Sequence, residues 1–454
     1  MARFLDELDD AEATNTFSRE DVATLRQRRK AASGDAADLA RAAAGFVAEK
    51  CDKTRVVCVG ESSHGTHEFY AARIEVTKKL ILEKKCFAVL LEADEPPARL
   101  VHRYVNGEFE NGAGAVLETA FEARFPAWMW NNSETLEFDE WLRAHNAAVE
   151  DDRDAVGIYG LDLYSLRTSM AAVLKYLEAR DVGLAELVRM QYGCFGRLDA
   201  STYGSLAACG LVAGCASAAA EATPKMWTIY AEGPLETHRL PLVELDAHII
   251  VSAEAYHIAA FAAQGSWNVR DRHFFQQLLR VEAHLKKTRG AKRARLARAA
   301  PPRPRTGTAP AAAAAWPREK EVTVGQLVRE HYGTASMLVG QSTHSGSVAC
   351  ADDRVAERVV KDVRPGRANS FEDFLHCATE PGAEHFVLDL GDAETRRALR
   401  RPRLERAIGV VYRPETERAS HYYLCDLKDQ FDVLFYFDAT NPVDALGPAE
   451  APPK

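Results

Sequence analysis

Short apolar runs separated by long helical segments make up the first part of the chain. Three runs, each bounded by polar or turn residues, have the continuous apolar pattern of buried strands: Arg55–Gly60, Cys86–Leu91 and Ala155–Gly160. The segments between them have helical spacing, and residues 1–50 share that pattern. Strand, helix and strand in this order predict right-handed crossovers and parallel pairing.

The second half of the chain contains a long helical stretch and then further strands. Residues 165–285 have a nearly continuous helical pattern with no convincing strand. Strand-like runs return at Ala335–Val339, His385–Leu390, Ala407–Tyr412 and Asp432–Phe437. We therefore predict an α/β fold whose central sheet, largely parallel or mixed, is flanked by helices and carries an all-helical insertion subdomain.

The same pattern divides the 454 residues into six segments. We expect, in order, a helical N-terminal segment, the first half of the α/β core, the helical subdomain, a low-complexity segment, the second half of the core and a disordered tail. Their bounds are 1–50, 51–164, 165–285, 286–318, 319–440 and 441–454.

The low-complexity segment differs from the rest of the chain in composition. Residues 283–318 contain no Asp or Glu but ten Lys and Arg, and residues 303–317 are mostly Pro and Ala. Such a sequence cannot bury enough apolar surface to order itself. Two interpretations stay open, a disordered loop or residues translated from an altered reading frame. A basic nucleic-acid tail is disfavoured, because no aromatic residues are interleaved for base stacking.

Composition and charge favour a small molecule as the partner. With 47% apolar and 27% charged residues the chain can bury a sizeable core. Its net charge of −9 argues against nucleic acid or an anionic membrane. The nine cysteines include no CxxC pair, and the N-terminal residues are acidic, unlike an export signal. We expect a cytoplasmic protein without a disulfide framework, and the sequence leaves its oligomeric state open.

Acidic residues follow each of the three predicted strands in the first half. The first strand leads into Glu61 and His64, the second into Glu92 and Asp94, and the third into Asp162. Because the carboxyl ends of parallel strands share one edge of a sheet, we expect these side chains to meet there. Carboxylates beside a histidine raise its affinity for a proton. The pattern predicts a general-base site.

Structural roles remain open for several of these residues. Asp94 and Asp162 fit helix N-caps as well as they fit chemistry. His67 and Arg73 fit ordinary positions on a helix, although Arg73 could reach back along it to a carboxylate or to substrate.

Nucleophile, metal and phosphate sites have weaker signals. Ser62 and Ser63 lie beside His64, yet no GxSxG turn occurs in the chain. No HExxH motif occurs, and His64 with His67 gives only an unspecific i, i+3 pair. The glycine patterns that bind dinucleotides or nucleoside triphosphates are absent.

Several motifs, in order, resemble those of the erythromycin esterase family. They are GESSHGTHEFYAAR from Gly60, FAVLLEAD from Phe87, FPAWMWNN from Phe125, YGLDLYS from Tyr159, SWNVRDRH from Ser266 and GVVYRPETERASHYY from Gly409. The resemblance covers about residues 50–440. It implies an α/β hydrolase with a helical insertion, in a family whose founding members open the lactone ring of macrolides and so act in the response to antibiotics.

The resemblance also implies roles for single residues. His64 is expected to be the base that activates water, and three side chains complete the catalytic site: Glu61, Glu92 and Arg73. Arg270 matches the arginine of the WNxRD motif, and both arginines are candidates to stabilise a developing oxyanion. Substrate binding is expected at Arg270, Asp94, Asp162 and His67. The substrate would be a small-molecule ester, neutral or cationic because the site is acidic, with no cofactor or metal required.

One family motif is absent from this chain. In the family, a further strand ending in His-Asn-x-His lies between the helix that carries the WNxRD motif and the segment matching Gly325–Gly333, and its first histidine belongs to the active site. Here no histidine occurs between His284 and His331. We therefore expect both a sheet strand and a site histidine to be missing. His344, in QSTHSG, follows a strand-like run but does not match a catalytic position of the family.

Three functions are consistent with the sequence. The first is a carboxylic ester or lactone hydrolase that uses His64 to activate water. The second is a catalytically impaired small-molecule binding protein on the same scaffold. The third is a metal-dependent hydrolase with Glu61, His64 and Glu92 as ligands.

Overall fold

The computed structural model describes residues 16–122, 124–196, 198–212, 214–215, 242–262, 265–290, 296–299, 322–353 and 357–447. Its strands are β1 (Arg29–Ser33), β2 (Val56–Val59), β3 (Ala88–Asp94), β4 (Gly157–Asp162), β5 (Leu296–Ala299), β6 (Ser336–Cys350), β7 (Val359–Val363), β8 (His385–Asp389), β9 (Arg403–Arg406), β10 (Tyr422–Cys425) and β11 (Val433–Thr440).

Nine of these strands form one mixed sheet. The strand order is β1-β8-β11-β6-β2-β5-β3-β4, and β7 pairs with the distal half of β6. The six strands from β11 to β4 are parallel to their neighbours, whereas β1, β8 and β7 join by antiparallel pairing. β9 and β10 form a separate antiparallel pair. The predicted fold class, a largely parallel or mixed sheet flanked by helices, is confirmed.

Sixteen helices surround the sheet in the described part of the chain. They are α1 (Arg19–Arg28), α2 (Ala36–Lys50), α3 (His67–Lys84), α4 (Glu95–Val105), α5 (Ala113–Phe121), α6 (Ser133–Ala148), α7 (Leu166–Glu178), α8 (Val182–Tyr192), α9 (Ala200–Ala208), α10 (Leu242–Phe261), α11 (Ser266–Arg289), α12 (Val324–Tyr332), α13 (Phe371–Cys377), α14 (Ala393–Ala398), α15 (Glu417–Ser420) and α16 (Leu427–Gln430).

Both faces of the parallel strands are buried beneath helices. Along β2, Val57 and Val59 join the apolar cluster covered by α2 to α6, while Val56 and Cys58 join the cluster covered by α1 and α11 to α14. A strand covered on both faces needs apolar residues at every position, which is why the central strands are continuous apolar runs.

Helices α7 to α10 pack around a third apolar cluster of their own. Cys194 forms a disulfide with Cys215 of this cluster, and the other seven cysteines form no disulfide. This disulfide was not expected from the sequence. No helix in the described residues is both long and apolar enough to cross a membrane.

Three segments differ from the sequence prediction. Residues 29–33, assigned to a helical segment, form β1 and pair with β8. The run Ala407–Tyr412 is not a strand. Its apolar residues Ile408 and Tyr412 instead pack in a small cluster with Val348 of β6. Residues 441–447, assigned to a disordered tail, are ordered, and the buried Val443 donates its backbone N–H to Gly65 O at 3.0 Å.

The low-complexity segment contains a strand that the sequence analysis did not predict. β5, at Leu296–Ala299, lies between β2 and β3 and is parallel to both. The expectation that a sheet strand is missing here was therefore wrong. Backbone pairing with neighbours on both sides defines this strand. Residues 291–295 and 300–321 lie outside the described residues.

Candidate active site

The loop after β2 brings Glu61, His64 and Arg73 into contact. His64 Nδ1 lies 3.0 Å from Glu61 Oε1, and the guanidinium of Arg73, on α3, donates to Glu61 Oε2. All three side chains are buried. A carboxylate bound on both sides fixes the orientation of the imidazole and assigns its proton to Nδ1. The Nε2 lone pair is then available to accept a proton.

Backbone contacts hold this loop in place. Tyr70 Oη lies 2.9 Å from His64 O and 2.7 Å from Met129 O, and the guanidinium of Arg73 stacks 4.1 Å from the ring centroid of Tyr70. Gly65 O accepts hydrogen bonds from the backbone of Ala349 and of the C-terminal segment, each at 3.0 Å. The position of the imidazole is therefore set by β6, by the C-terminal segment and by the residues after α5.

A second cluster lies at the ends of β3 and β4. Arg270, on α11, donates from Nε to Asp162 Oδ1 at 2.9 Å and from Nη2 to Asp162 Oδ2 at 2.6 Å. The same Nη2 lies 2.8 Å from Glu92 Oε1. The arginine of the WNxRD motif thus joins two strand-end carboxylates to α11, the long helix at the end of the predicted helical subdomain. This planar, two-point pairing is the geometry that guanidinium groups favour.

Arg124 is a member of this cluster that the sequence analysis missed. It donates to Asp94 Oδ2 at 2.6 Å, to Asp162 Oδ2 at 3.1 Å and to the backbone oxygen of Glu92 at 2.9 Å. Trp130 Nε1 donates to the same backbone oxygen at 3.0 Å. The sequence contained a signal for both residues, because Arg124 directly precedes the FPAWMWNN motif and Trp130 belongs to it.

The charges in the second cluster shift each other's protonation. Burial would raise the pKa of Asp162, but the guanidinium groups of Arg270 and Arg124 outweigh it and hold that pKa below its usual range. Burial raises the pKa of Asp94, and the attraction of Arg124 opposes the rise. Asp162 is therefore the ionised partner that the two arginines share.

Neither aspartate is a simple helix cap. Asp94 precedes α4 without capping it, and its Oδ1 instead accepts the backbone N–H of Tyr164 at 2.6 Å. Asp162 Oδ1 accepts the N–H of Leu163 at 3.0 Å in addition to its arginines. Both carboxylates brace the polypeptide where β4 ends, and they face guanidinium groups rather than a helix N-terminus.

β5 separates the two clusters within the sheet. Its last residue, Ala299, is in register with Val59 of β2 on one side and with Leu91 of β3 on the other. The chain therefore leaves β5 between the strand that carries Glu61 and the strand that carries Glu92. This is the sheet position at which the family resemblance places a histidine, and here Ala300 and Pro301 follow the strand.

His67 makes its contacts away from the other predicted site residues. Its Nδ1 lies 2.6 Å from Glu134 Oε1, at the start of α6, and its side chain is 48% exposed. The structure joins Glu61 with His64 and Arg73, and joins Glu92 and Asp94 with Asp162 and Arg270, but it brings His67 to neither group. A substrate-binding role for His67 stays a prediction.

The ligand atoms of Glu61, His64 and Glu92 do not converge as a metal site requires. Among the described residues, the one group of three or more such side chains with all ligand atoms within 4.8 Å is His344, His376 and Asp438. The metal-dependent hydrolase suggested for the first three residues has no geometric support.

A comparison of the sequence with protein families identifies the family of the chain. The sequence model of the erythromycin esterase family matches residues 81–440. The chain belongs to the erythromycin esterase family. The matched range contains Glu92, Asp94, Asp162 and Arg270, whereas Glu61, His64 and Arg73 precede it.

Three solved structures share the fold. A succinoglycan biosynthesis protein is 15% identical, with a TM-score of 0.72 over 95% of this chain and 99% of that one. A protein from Bacillus cereus is 16% identical, with a TM-score of 0.71 over 94% and 99%. A mutant of the erythromycin esterase EreC in its open conformation is 13% identical, with a TM-score of 0.58 over 90% and 95%. At these identities the likeness extends to the fold alone.

Proposed function

We propose that this erythromycin esterase family member hydrolyses a carboxylic ester or lactone with a water molecule activated by His64. The observation that carries the proposal is the buried contact of His64 Nδ1 with Glu61, which turns Nε2 into the basic atom of the ring. A fixed imidazole of this kind is the commonest general base in hydrolysis at neutral pH.

The proposed reaction uses the same imidazole twice. Nε2 takes a proton from water while the water oxygen attacks the carbonyl carbon, and the resulting imidazolium is stabilised by Glu61. The tetrahedral intermediate then collapses, the ester C–O bond breaks, and the imidazolium returns the proton to the leaving alkoxide. The products are a carboxylic acid and an alcohol, which remain one molecule when the substrate is a lactone.

Arg270 is the better candidate to stabilise the oxyanion. The guanidinium of Arg73 is committed to Glu61, where it supports the base. Arg270 uses Nε and Nη2 for Asp162 and Glu92, and among the described residues its Nη1 has no hydrogen-bond partner. A donor of this type, aimed at the developing negative charge, contributes about 10²–10³-fold to the rate.

The balance of charge favours a neutral substrate. The two clusters contain the carboxylates of Glu61, Glu92, Asp94 and Asp162 and the guanidinium groups of Arg73, Arg124 and Arg270. Since each of these arginines is already paired with a carboxylate, the described part of the site has no surplus cation to attract a phosphate or sulfate. A neutral ester, with macrolide lactones among the first compounds to try, fits this balance.

The test is hydrolysis of a panel of esters and lactones by the wild type and by His64→Ala. We expect the substitution to lower kcat about 10²–10⁴-fold, because general-base catalysis is lost. His145→Ala is a matched control, since this histidine stacks on Trp141 at the far end of α6 and should leave turnover unchanged. Equal hydrolysis by wild type and His64→Ala would refute the role of the base.

A binding protein without turnover is the second candidate. It is favoured by the absence of a histidine in the chain that follows β5, between His284 and His331. Ester ligands that raise the melting temperature of the wild type, with no product formed after long incubation, would select this function.

A further inference from the structure

His344, His376 and Asp438 form a cluster on strands that the proposed reaction does not use. His344 lies in the distal part of β6 and Asp438 in β11. The parallel register pairs Phe437 with Thr343 and Ala439 with Ser345, so Asp438 and His344 are neighbours on the same face of the sheet. His376, near the end of α13, reaches this face from the covering helix.

The three side chains are in close contact. The imidazoles of His344 and His376 stack with their centroids 4.0 Å apart and an angle of 10° between the rings. His376 Nδ1 lies 2.6 Å from Asp438 Oδ1. One ligand atom from each residue can be chosen so that all three lie within 4.8 Å of one another. Small side-chain rotations would bring these atoms to the separation found around a single ion.

Several coordinating atoms in the cluster have no protein partner. Within the described residues, neither ring nitrogen of His344 is hydrogen bonded, and Asp438 Oδ2 has no donor. An imidazole whose nitrogens make no hydrogen bond within the described residues can donate a lone pair to a metal ion.

Neighbouring groups hold the ligands in position. Tyr436 Oη donates to Asp438 Oδ1 at 2.7 Å, and the backbone N–H of Asp438 donates to His385 Nδ1 at 3.1 Å. Arg406 donates to the backbone oxygen of His344 at 2.7 Å and lies 3.2 Å from the carboxylate of Glu417, which balances its charge. Hydrogen bonds that orient the coordinating side chains in this way are a regular feature of metal sites.

We propose that His344, His376 and Asp438 bind a divalent transition-metal ion of the Zn²⁺, Co²⁺ or Ni²⁺ class. Two imidazoles and one carboxylate form a ligand set that these ions prefer and that Mg²⁺ and Ca²⁺ do not. Solvent completes the coordination, because the side chain of His376 is 43% exposed. On binding, His376 exchanges its contact with Asp438 for the metal, and the ion links α13 to β6 and β11.

The site is distinct from the proposed hydrolytic residues. Those residues follow β2, β3 and β4 or lie on α3 and α11, whereas the metal ligands lie on β6, β11 and α13. His64→Ala removes none of the three ligands, so metal binding should persist in that variant.

The experiment measures binding of Co²⁺ and Zn²⁺ to chelator-treated protein by calorimetry and by the visible absorption of Co²⁺. We expect the wild type to bind one ion per chain at this site, with a rise in melting temperature. His344→Ala, His376→Ala and Asp438→Asn should each weaken binding by more than about 100-fold, since a ligand counts for more than a residue that only orients one. His64→Ala and His145→Ala are controls that should bind like the wild type.

Two results would overturn the proposal. One is failure of the wild type to bind either ion, or binding that all three ligand variants retain unchanged. The other is loss of binding in Cys377→Ser, because this partly exposed free cysteine adjoins His376 and would then be the true ligand. Near-ultraviolet circular dichroism identifies any variant that has not folded, and His344→Gln replaces His344→Ala in that case.

Discussion

Asp162 is a fully buried carboxylate between two guanidinium groups. Burying three charges is unfavourable unless each is paired, and here Asp162 serves Arg124 and Arg270 at once. Removing it would leave two buried cations with fewer partners than they need. The same carboxylate also fixes the direction in which the chain leaves β4, through the N–H of Leu163.

We expect Asp162→Asn to lower the free energy of unfolding by about 3 kcal/mol or more, the cost of breaking a buried ion pair from one side. Urea unfolding measures the change. Asp151→Asn is the control, because Asp151 forms an ion pair with the exposed Arg153, and the loss of an exposed pair should cost far less. Equal effects of the two substitutions would contradict this account of Asp162.

The difference in unfolding free energy between wild type and Asp162→Asn should depend on pH with a definite sign. The pKa of Asp162 is lowered in the folded protein, whereas an unfolded aspartate titrates at about 3.9. Its stabilisation is therefore complete above about pH 4 and is lost as the pH falls towards the folded value. The stability difference between wild type and Asp162→Asn should be constant from pH 5 to 8 and shrink below pH 4.

The strand-end rule predicted most of the candidate site at the level of single residues. Glu61, His64, Glu92 and Asp162 were singled out because each lies within four residues after an apolar run, and the structure brings Glu61 to His64 and brings Glu92 and Asp162 to Arg270. Arg124 was not among the predicted residues, although it directly precedes the FPAWMWNN motif, because it reaches the site from the segment between α5 and α6 and follows no strand.

Only glycine fits at residue 65, in the connection from β2 to α3. A Cβ added to Gly65 would lie 1.9 Å from the backbone oxygen of Ala349 in β6. This loop carries His64, and a backbone oxygen cannot move aside as a side chain can.

Gly65→Ala should therefore destabilise the protein by at least about 1–3 kcal/mol and lower hydrolytic activity, because β6 and the loop must separate. Gly45→Ala in α2 is the matched control, since no atom lies within 4 Å of its added Cβ. There we expect a gain of about 0.5–1 kcal/mol from the higher helix propensity of alanine. Thermal unfolding and the ester assay distinguish the two; a fully stable and active Gly65→Ala would contradict the contact.

A histidine and a glutamate join the first turns of α3 and α6. The hydrogen bond to Glu134 raises the pKa of His67 above its usual value. Since an unfolded histidine titrates near 6.5, the stabilisation is present below that pH and disappears as the pH rises through the higher folded value. The half-exposed position limits it to about 0.5 kcal/mol.

The measurement is the difference in unfolding free energy between wild type and His67→Ala at pH 6 and at pH 9. We expect the difference to be smaller at pH 9, where the imidazole is neutral in both states. In a Glu134→Gln background the pH dependence should vanish, and its persistence there would assign the effect to another group.

Strand prediction succeeded where both faces are buried and failed where other demands shape the sequence. β2, β3 and β4 are buried at every position because helices cover both faces of the sheet, and they are apolar up to the carboxylates at the ends of β3 and β4. β5 has the polar and small sequence LARA, which gives no hydrophobic signal, and its hydrogen bonds to β2 and β3 define it as a strand. Ala407–Tyr412 is the opposite case, an apolar sequence that is not a strand. Its apolar residues pack in a small cluster and form no continuous pairing with a neighbouring strand.

The architecture of the whole molecule was easier to predict than the antiparallel strands added to its sheet. The alternation of strands and helices indicated a parallel core, and the long helical stretch indicated an insertion before the core resumes. The antiparallel additions β1, β7 and β8 were not recognisable as such, because pairing direction depends on where a connection crosses and not on the residues of the strand. Arg270 illustrates the result, since a residue near the end of the predicted helical subdomain binds carboxylates that precede that subdomain.

The central position of β5 has a consequence for how the protein is made. β2 and β3 are close in sequence, yet they are not hydrogen bonded to each other, because β5 fills the space between them. β4 ends at Asp162 and β5 begins at Leu296, so the ribosome synthesises roughly 130 further residues before the gap can close. Until then the nascent chain exposes two unpaired backbone edges, the type of surface that attracts foreign strands. We therefore expect the nascent chain to depend on chaperones during translation, whereas the folded protein is not expected to be unstable on this account.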